Sequence, residues 1–321
     1  MLERLLVMAL ILVSGACAAG QMWVKGNTHT HTTMSDGDSP PEVVVEWYKS
    51  HGYNFLVLSD HNKLVDPTQY DTDPADGFIL IPGEEVSAES EHKPVHVNGL
   101  GIKEVVPPRN RATLVETIQE NVDAVLEVGG LPHINHPNFG FAFGHRELEK
   151  VQRYNLLEIF NGHPAVHNEG DMARLPVEHV WDILLSSGRD IFGIAVDDAH
   201  HFTKFGAGQA NPGRGWIVVR VNELSRSDVL KNIRDGNFYA STGVELKDYS
   251  ANRSAIRVSI KPAAGVRYIS RFIGQHGQIL REVEGPLAIY RFTGQPCEAY
   301  VRAKVIASNG AVAWTQPVRR K

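Results

Sequence analysis

Histidine and acidic residues with the spacing of metal ligands are the most informative feature of this sequence. His29-Thr30-His31 places two imidazoles two positions apart, and Asp36 follows five residues later. The same residue types recur downstream, in Asp60-His61, Glu85, His96, His136 and Asp198-Ala199-His200. Imidazole and carboxylate groups are ligands for zinc, manganese and iron. Two such ions held roughly 3.5 to 4 Å apart can activate water and neutralise charge during hydrolysis of a phosphate ester.

The number of candidate ligands exceeds what a single ion takes. The predicted metal ligands are six imidazoles and three carboxylates: His29, His31, Asp36, His61, Glu85, His96, His136, Asp198 and His200. We therefore expect two or three divalent ions, of zinc, manganese or iron. A carboxylate such as Glu85 can present one oxygen to each of two ions. Thiolates are not expected to contribute, since Cys17 and Cys297 are the only cysteines.

The elements that would position these ligands are alternating strands and helices. Seven strands are predicted: Trp23 to His29, Phe55 to Ser59, Phe78 to Gly83, Val95 to Gly101, Gly130 to Asn135, Leu156 to Phe160 and Ile191 to Val196. Helices are predicted between them, at Pro40 to His51, Ala112 to Val128 and Pro176 to Ser187. Most ligands then fall where a strand ends. In a parallel α/β barrel, this is the C-terminal face, where the loops converge and sites are built.

The pattern changes after Asp198. Trp216 to Val221 reads as a strand and Ser225 to Asp235 as a helix, and short strands dominate from Gly243 onward. In one of these strands Ile256, Val258 and Ile260 alternate with polar residues, so one face is buried. The sequence thus predicts an α/β domain at 21–242 and an antiparallel β module, a sandwich, at 243–321.

The first twenty residues have the layout of a secretory signal. Arg4 precedes an apolar run, and small residues follow up to Gly20. We expect export to the periplasm or the exterior, with Cys17 as an alternative site of lipid attachment and the only expected link to a membrane. Hydrophobic content of 42%, charged content of 21% and a net charge of −5 suit a soluble globular protein and give no sign of a nucleic-acid polymer as partner.

In order, the motifs resemble those of the PHP (polymerase and histidinol phosphatase) family. The motifs that carry the resemblance are His29-Thr30-His31 with Ser35-Asp36-Gly37, Ser59-Asp60-His61, Pro82-Gly83-x-Glu85, His136-Pro137 and Asp198-Ala199-His200. The resemblance implies a distorted (βα)7 barrel, similar to a TIM barrel, with a trinuclear centre that hydrolyses phosphoesters.

The family resemblance also implies an assignment of ligands. His29, His31, Glu85 and Asp198 would hold one metal; Glu85, His96 and His136 would hold the second; Asp36, His61 and His200 would hold the third. Glu85, Asp198 and His200 are the predicted catalytic residues.

Several alternatives stay open at this point. Glu84 competes with Glu85, Asp197 with Asp198, and His133 with His136. Outside the metal set, the residues predicted to contact a phosphate or the substrate are Lys63, His163 and Arg214.

The favoured function is an exported, metal-dependent phosphoesterase acting on a small phosphate ester. An amidohydrolase-like enzyme for an amide or cyclic ester is the main rival. That rival often uses a modified lysine on strand four, where this chain has His96. A metal-containing envelope protein that binds without turnover is the third reading.

Overall fold

The computed structural model describes residues 21–70, 74–252 and 254–319. The predicted signal peptide, including Cys17, lies outside these ranges. The α-helices are α1 (Pro41–Ser50), α2 (Leu114–Glu127), α3 (His145–Leu148), α4 (Val177–Ser186) and α5 (Arg226–Arg234). The strands up to Ser241 are β1 (Met22–Asn27), β2 (Phe55–Leu58), β3 (Ile79–Ser90), β4 (Lys93–Leu100), β5 (Leu131–Ile134), β6 (Leu156–Asn161), β7 (Phe192–Val196), β8 (Trp216–Val221) and β9 (Phe238–Ser241). The later strands are β10 (Leu246–Ala251), β11 (Ala255–Ile260), β12 (Tyr268–Ile273), β13 (Ile279–Glu284), β14 (Leu287–Arg291), β15 (Arg302–Ala307) and β16 (Val312–Thr315).

One large mixed sheet organises the molecule. Its 13 strands follow the order β13-β12-β15-β16-β9-β8-β1-β2-β3-β4-β5-β6-β7. Strands β1, β2 and β3 pair in parallel, as do β5, β6 and β7, whereas β4 is antiparallel to both of its neighbours. The predicted α/β class is confirmed, with parallel pairing within β1–β3 and within β5–β7. The expectation that the fourth strand runs parallel to its neighbours is wrong.

A tight hairpin explains the reversed strand. The predicted strands Phe78 to Gly83 and Val95 to Gly101 are two arms of one hairpin, because β3 continues to Ser90. The turn residues Glu91 and His92 both have positive φ, at 53° and 57°. Positive φ at both central residues is the geometry of a type I′ turn, whose twist matches that of antiparallel strands.

The strands do not close into a continuous barrel ladder within the described residues. Instead, an isolated parallel bridge joins Thr30, beyond the end of β1, to Ala199, beyond the end of β7. The His31 N–H donates to the Ala199 carbonyl at 2.9 Å, and the Asp198 N–H donates to the His29 carbonyl at 3.0 Å. These bonds bring the first and last groups of candidate ligands side by side.

Helices cover the outside of the strands. The Thr113 hydroxyl accepts a hydrogen bond from the Glu116 N–H and caps α2, and this helix buries Ile118, Val122 and Val125 in the main apolar core. No helix among the described residues combines the length and apolar character needed to span a bilayer.

The C-terminal strands form a second layer on the same sheet. A separate antiparallel sheet, β10-β11-β14, buries Ile256 and Val258 in one cluster with Phe272 and Val305 of the large sheet. The large sheet is continuous across residue 242, since Ser241 of β9 pairs with Ala313 of β16. The separate antiparallel sheet confirms that part of the fold prediction, and the division into domains at 242 stays a prediction.

Candidate metal centre

The end of β1 supplies two buried imidazoles that point the same way. In an extended segment side chains alternate, so His29 and His31 share one face and Thr30 takes the other. Both histidines are fully buried. The Ser59 hydroxyl, following β2, accepts a hydrogen bond from the Thr30 N–H at 3.0 Å. The backbone is thereby fixed on the side away from the imidazoles.

Glu85 is the centre of the cluster. Five ring nitrogens approach its carboxylate oxygens: Nε2 of His29 at 3.4 Å, Nε2 of His31 at 3.3 Å, Nδ1 of His61 at 2.9 Å, Nδ1 of His96 at 3.0 Å and Nε2 of His136 at 3.2 Å. The Asn135 amide also donates to Oε1 at 2.8 Å. A carboxylate offers about four acceptor positions, fewer than the groups gathered here. Buried imidazoles gathered in this way around one carboxylate are suited to holding a divalent metal ion.

The backbone separates Asp198 from Asp197. Asp198 has a φ of 49°, a left-handed conformation that aspartate tolerates better than most residues. Its Oδ1 lies 3.1 Å from His29 Nε2 and 3.2 Å from His31 Nε2. Asp197 instead accepts hydrogen bonds from the Tyr48 hydroxyl at 2.8 Å and from backbone N–H groups at 214 and 215. The structure therefore brings Asp198 into the cluster.

The other two alternatives are also separated in space. Glu84 is buried apart from the cluster, with Oε1 accepting from the Val106 N–H at 2.6 Å. The His133 ring is fully buried, and its two nitrogens have no hydrogen-bonding partner among the described residues. Its Nε2 lies 3.8 Å from Glu158 Oε1. Glu85 and His136 are the members of each pair that join the cluster.

Asp36, His61 and His200 form the outer edge of the centre. Asp36 is 53% exposed, and its oxygens lie 3.5 Å from His61 Nε2 and 3.4 Å from His200 Nε2. The His200 ring stacks on the ring of His31, with centroids 4.1 Å apart. Asp60 has a different role, because it accepts from the Thr32 and Ser35 N–H and hydroxyl groups and holds that loop.

The side chains form overlapping groups, each of which could hold a cation. Four groups have ligand atoms within 4.8 Å of one another: His31, Asp36, His61 and His200; His29, His31 and Glu85; His29, His136 and Asp198; His61, Glu85 and His96. The predicted third set thus gains His31, while His136 lies with His29 and Asp198. His96 Nδ1 is buried and lies 3.0 Å from a Glu85 oxygen, without the geometry of a hydrogen bond. The assignment of ligands to individual ions stays a prediction.

Electrostatics favour a bound cation. Burial alone would raise the pKa of Glu85, but the imidazoles of His96, His29 and His61 hold it well below its usual value. Burial lowers the pKa of His31 to about 4, which leaves a neutral ring with a free lone pair. Although burial opposes it, the carboxylates of Glu85 and Asp36 raise the pKa of His61 to about 10. A cation entering here would displace protons, so its affinity should fall with falling pH.

The cluster opens to solvent through a small cleft. The cleft has a volume of about 190 Å³ and is lined by Asp36, His61, Glu85, His96, His136, Phe139, His163, Asp198, His200 and His201. His163, predicted to touch substrate, is thus at the cleft. Lys63 and Arg214 are not among the lining residues. Lys63 Nζ donates to the Met34 carbonyl, and Arg214 donates to the carbonyls of Gly162 and Gly206 at 2.9 Å.

Glu158 contacts two of the candidate ligands and was not predicted from the sequence. Its Oε1 lies 2.6 Å from His29 Nδ1, and its Oε2 accepts from the His136 N–H at 2.8 Å. Asn161 donates to Glu158 Oε2 and to Asp198 Oδ2, both at 3.0 Å. A carboxylate behind a ligand histidine fixes its tautomer and orientation. The available signal was an acid inside the apolar run Leu156-Leu157-Glu158-Ile159-Phe160.

Comparison with known proteins supports the fold. No family model matches the chain. The chain superposes on a two-domain protein from Bacteroides vulgatus, described as containing a predicted PHP-like metal-dependent phosphoesterase, with a TM-score of 0.53 and 16% identity over 93% of this chain and 96% of that one. The two chains therefore share an overall fold.

Two further similarities are more limited. A 5'-3' exoribonuclease from Haemophilus influenzae is 28% identical over 118 residues, which are 35% of this chain and 43% of that protein. The chain therefore spans less than half the length of this curated relative. An amidohydrolase from Chromobacterium violaceum, solved with sulfate and no metal, aligns with 14% identity, a TM-score of 0.42 and coverage of 56% of this chain and 88% of that one.

Proposed function

We propose that the protein is a metal-dependent hydrolase of phosphate esters. The observation that carries the proposal is the convergence of five imidazoles on Glu85, with Asp198 and Asp36 completing the set around a solvent-open cleft. Nitrogen and oxygen ligands in this number suit two or three zinc, manganese or iron ions. Such ions, when bound, would supply an activated water and neutralise charge on phosphoryl oxygens.

The residues around the cleft would orient the ester. The His163 Nδ1 accepts a hydrogen bond from the Ala165 N–H at 3.1 Å, so a neutral ring carries its proton on Nε2. Burial lowers the pKa of His163 and keeps the ring neutral near pH 7. We assign His163 the donation of this proton in a hydrogen bond to an oxygen of the substrate. Phe139 forms an apolar wall, and its ring lies 5.2 Å from that of His136.

Metal removal combined with a substrate panel tests this proposal. Dialysis against a chelator should abolish release of phosphate from p-nitrophenyl phosphate, and added Mn²⁺ or Zn²⁺ should restore it. Full turnover by the metal-free protein would contradict the proposal. Lactones and N-acyl amides should be poor substrates, and efficient cleavage of these compounds by the metal-loaded protein would instead support the amidohydrolase-like alternative.

RNA ends are a second candidate substrate, and the specific observation that favours them is the 28% identity to the exoribonuclease. The net charge of −5 favours a small ester over a polymer. A 5'-labelled RNA oligonucleotide should therefore be hydrolysed with a lower kcat/KM than a mononucleotide ester. Faster processive shortening of the oligonucleotide would assign the nuclease role.

We also propose that the chain is exported, on the strength of residues 2–20. The test is the mass of the N-terminal peptide of the mature protein. Cleavage after Ala18 or Ala19 indicates an ordinary signal peptide, a diacylglyceryl group on Cys17 indicates a lipoprotein, and an intact Met1 contradicts export by this signal.

A further inference from the structure

A second cleft opens on the same rim of the sheet as the metal centre. It has a volume of about 560 Å³ and lies between the segment after β5 and the segment before α4. Asn138 lines this second cleft, and the next residue, Phe139, lines the metal cleft. Because neighbouring Cα atoms are about 3.8 Å apart, the two clefts share one wall. The two clefts are therefore neighbours on this rim.

Two arginines give the second cleft its chemical character. Arg146 and Arg174 both line it, and neither side chain forms a hydrogen bond or ion pair within the described part of the chain. By contrast, the lining carboxylate of Glu147 is engaged by the Gly144 N–H at 2.8 Å. The guanidinium groups therefore remain available to an anion. A guanidinium is a planar fork that matches the oxygens of phosphate or carboxylate.

The walls of this cleft are held in place before any ligand arrives. The Asn138 amide donates to the carbonyls of His167 and Leu175, at 2.9 and 3.0 Å, and so ties one segment to the other. A backbone bridge between Phe139 and Val166 adds a second tie. Beneath them, Phe143 and Val180 are buried. The cleft is thus a formed feature of the rim.

We propose that this second cleft binds a second anionic group of the substrate, a phosphate or carboxylate distant from the ester that is cleaved. The inference rests on the proposed function of the metal centre and narrows its substrate class to compounds with two anionic groups. Arg146 and Arg174 determine specificity; they do not touch the reacting phosphorus. Their effect should appear in the binding of doubly anionic compounds and not in the turnover of a simple ester.

The test measures binding without chemistry, on the metal-loaded protein. Alkane bisphosphonates of increasing chain length cannot be hydrolysed, and alkyl monophosphonates of the same length are their controls. Titration calorimetry should show that one length of bisphosphonate binds more tightly than its monophosphonate. The double variant Arg146→Gln/Arg174→Gln should lose this advantage, by about 10-fold or more, because each guanidinium makes charge-assisted hydrogen bonds.

Two further variants control for net charge. Arg257→Gln removes an exposed arginine of the β10-β11-β14 sheet and should change nothing. Arg146→Lys/Arg174→Lys keeps the charge without the fork and should retain part of the advantage. If the double glutamine variant binds every bisphosphonate as the wild type does, or if no length binds better than its monophosphonate, the second cleft is not an anion site.

Kinetic measurements test the anion site and the proposed phosphoesterase reaction separately. Turnover of p-nitrophenyl phosphate should be unchanged in the double glutamine variant, whereas KM for the corresponding alkanediol bisphosphate should rise about 10-fold. Preferential binding of bisphosphonates without hydrolysis of any ester would leave the anion site standing and overturn the proposed phosphoesterase. Hydrolysis of phosphate esters without preferential binding of bisphosphonates would support the phosphoesterase and overturn the anion site.

Discussion

Buried charges occur in two regions of the molecule, and they are compensated in opposite ways. Where α4 meets β15, Arg302 donates to Asp182 through Nε at 2.8 Å and Nη2 at 2.7 Å, and to Glu178 at 2.9 Å. Lys304 also donates to Glu178. Two cations thus face two carboxylates, and the protein supplies both signs. Around Glu85, carboxylates face imidazoles, whose positive charge depends on bound protons.

The comparison shows what each cluster is for. The Arg302 network joins the α/β part to the C-terminal strands, and its charges are matched by the protein alone. In the cluster around Glu85, five rings and an amide crowd one carboxylate. The first arrangement joins two parts of the fold, whereas the second has the side chains that could hold a cation.

The largest effect should follow from Glu85→Gln. Loss of the central carboxylate removes a ligand shared by two of the four groups, and metal chemistry is worth several kcal/mol of transition-state stabilisation. Hydrolysis of p-nitrophenyl phosphate should therefore fall on the order of 10³-fold or more. Elemental analysis should show less bound metal per chain. The matched control is Glu84→Gln, which alters a buried neighbour whose oxygen accepts from the Val106 N–H and should leave the metal content unchanged. Equal loss of metal in the two variants would contradict the assignment of Glu85, and not Glu84, as the ligand.

Breaking the other cluster should affect stability and leave metal content unchanged. Arg302→Met leaves Asp182 and Glu178 without their shared partner, and removal of one member of a buried pair costs about 3 to 5 kcal/mol of unfolding free energy. Urea unfolding measures the loss. Arg271→Met removes an exposed pair with Glu282 on the adjacent strand and should cost about 1 kcal/mol or less. Similar losses of unfolding free energy in the two variants would show that the buried network stabilises the fold no more than an exposed ion pair does.

The sequence predicts the candidate metal ligands better than it predicts the direction of β4 or the Arg302 network. Ligands at strand ends, such as His61 and His136, were predictable because polar residues follow short apolar runs and strand ends gather at one edge. The direction of β4 was not, because alternation of side chains is the same in either direction. Its turn, Glu91-His92, also lacks the Asn-Gly or Gly residues that usually mark a type I′ hairpin. The Arg302 network was equally hidden, because its partners lie more than 100 positions apart.

Glu158 is a buried carboxylate that contacts the candidate ligand His29 and is not itself a candidate ligand. Glu158→Gln keeps the size of the side chain but removes the charge beside His29 Nδ1. Substitutions at such positions weaken metal binding about 10- to 100-fold. Competition with a metal-sensitive dye should report this loss. Glu298→Gln, which alters a buried carboxylate bound to Tyr290 in the C-terminal layer, should leave metal affinity unchanged; a matching decrease would indicate a general effect of lost charge.

The smallest expected effect is on the pH dependence of the unfolding free energy. It tests whether Arg302 and Lys304 keep Glu178 ionised in the folded protein. Burial would raise the pKa of Glu178, but Arg302 and Lys304 hold it below the ordinary value of 4.5. A lowered pKa in the folded state stabilises the protein above the unfolded pKa, and this contribution is lost as the pH falls through the folded value. Between pH 6 and pH 3.5 the wild type should therefore lose more unfolding free energy than Glu178→Gln, both measured with chelator present. Because protonation of the metal centre is common to both proteins, it cancels in this difference, and parallel losses would mean that Glu178 is not held ionised by its two cations.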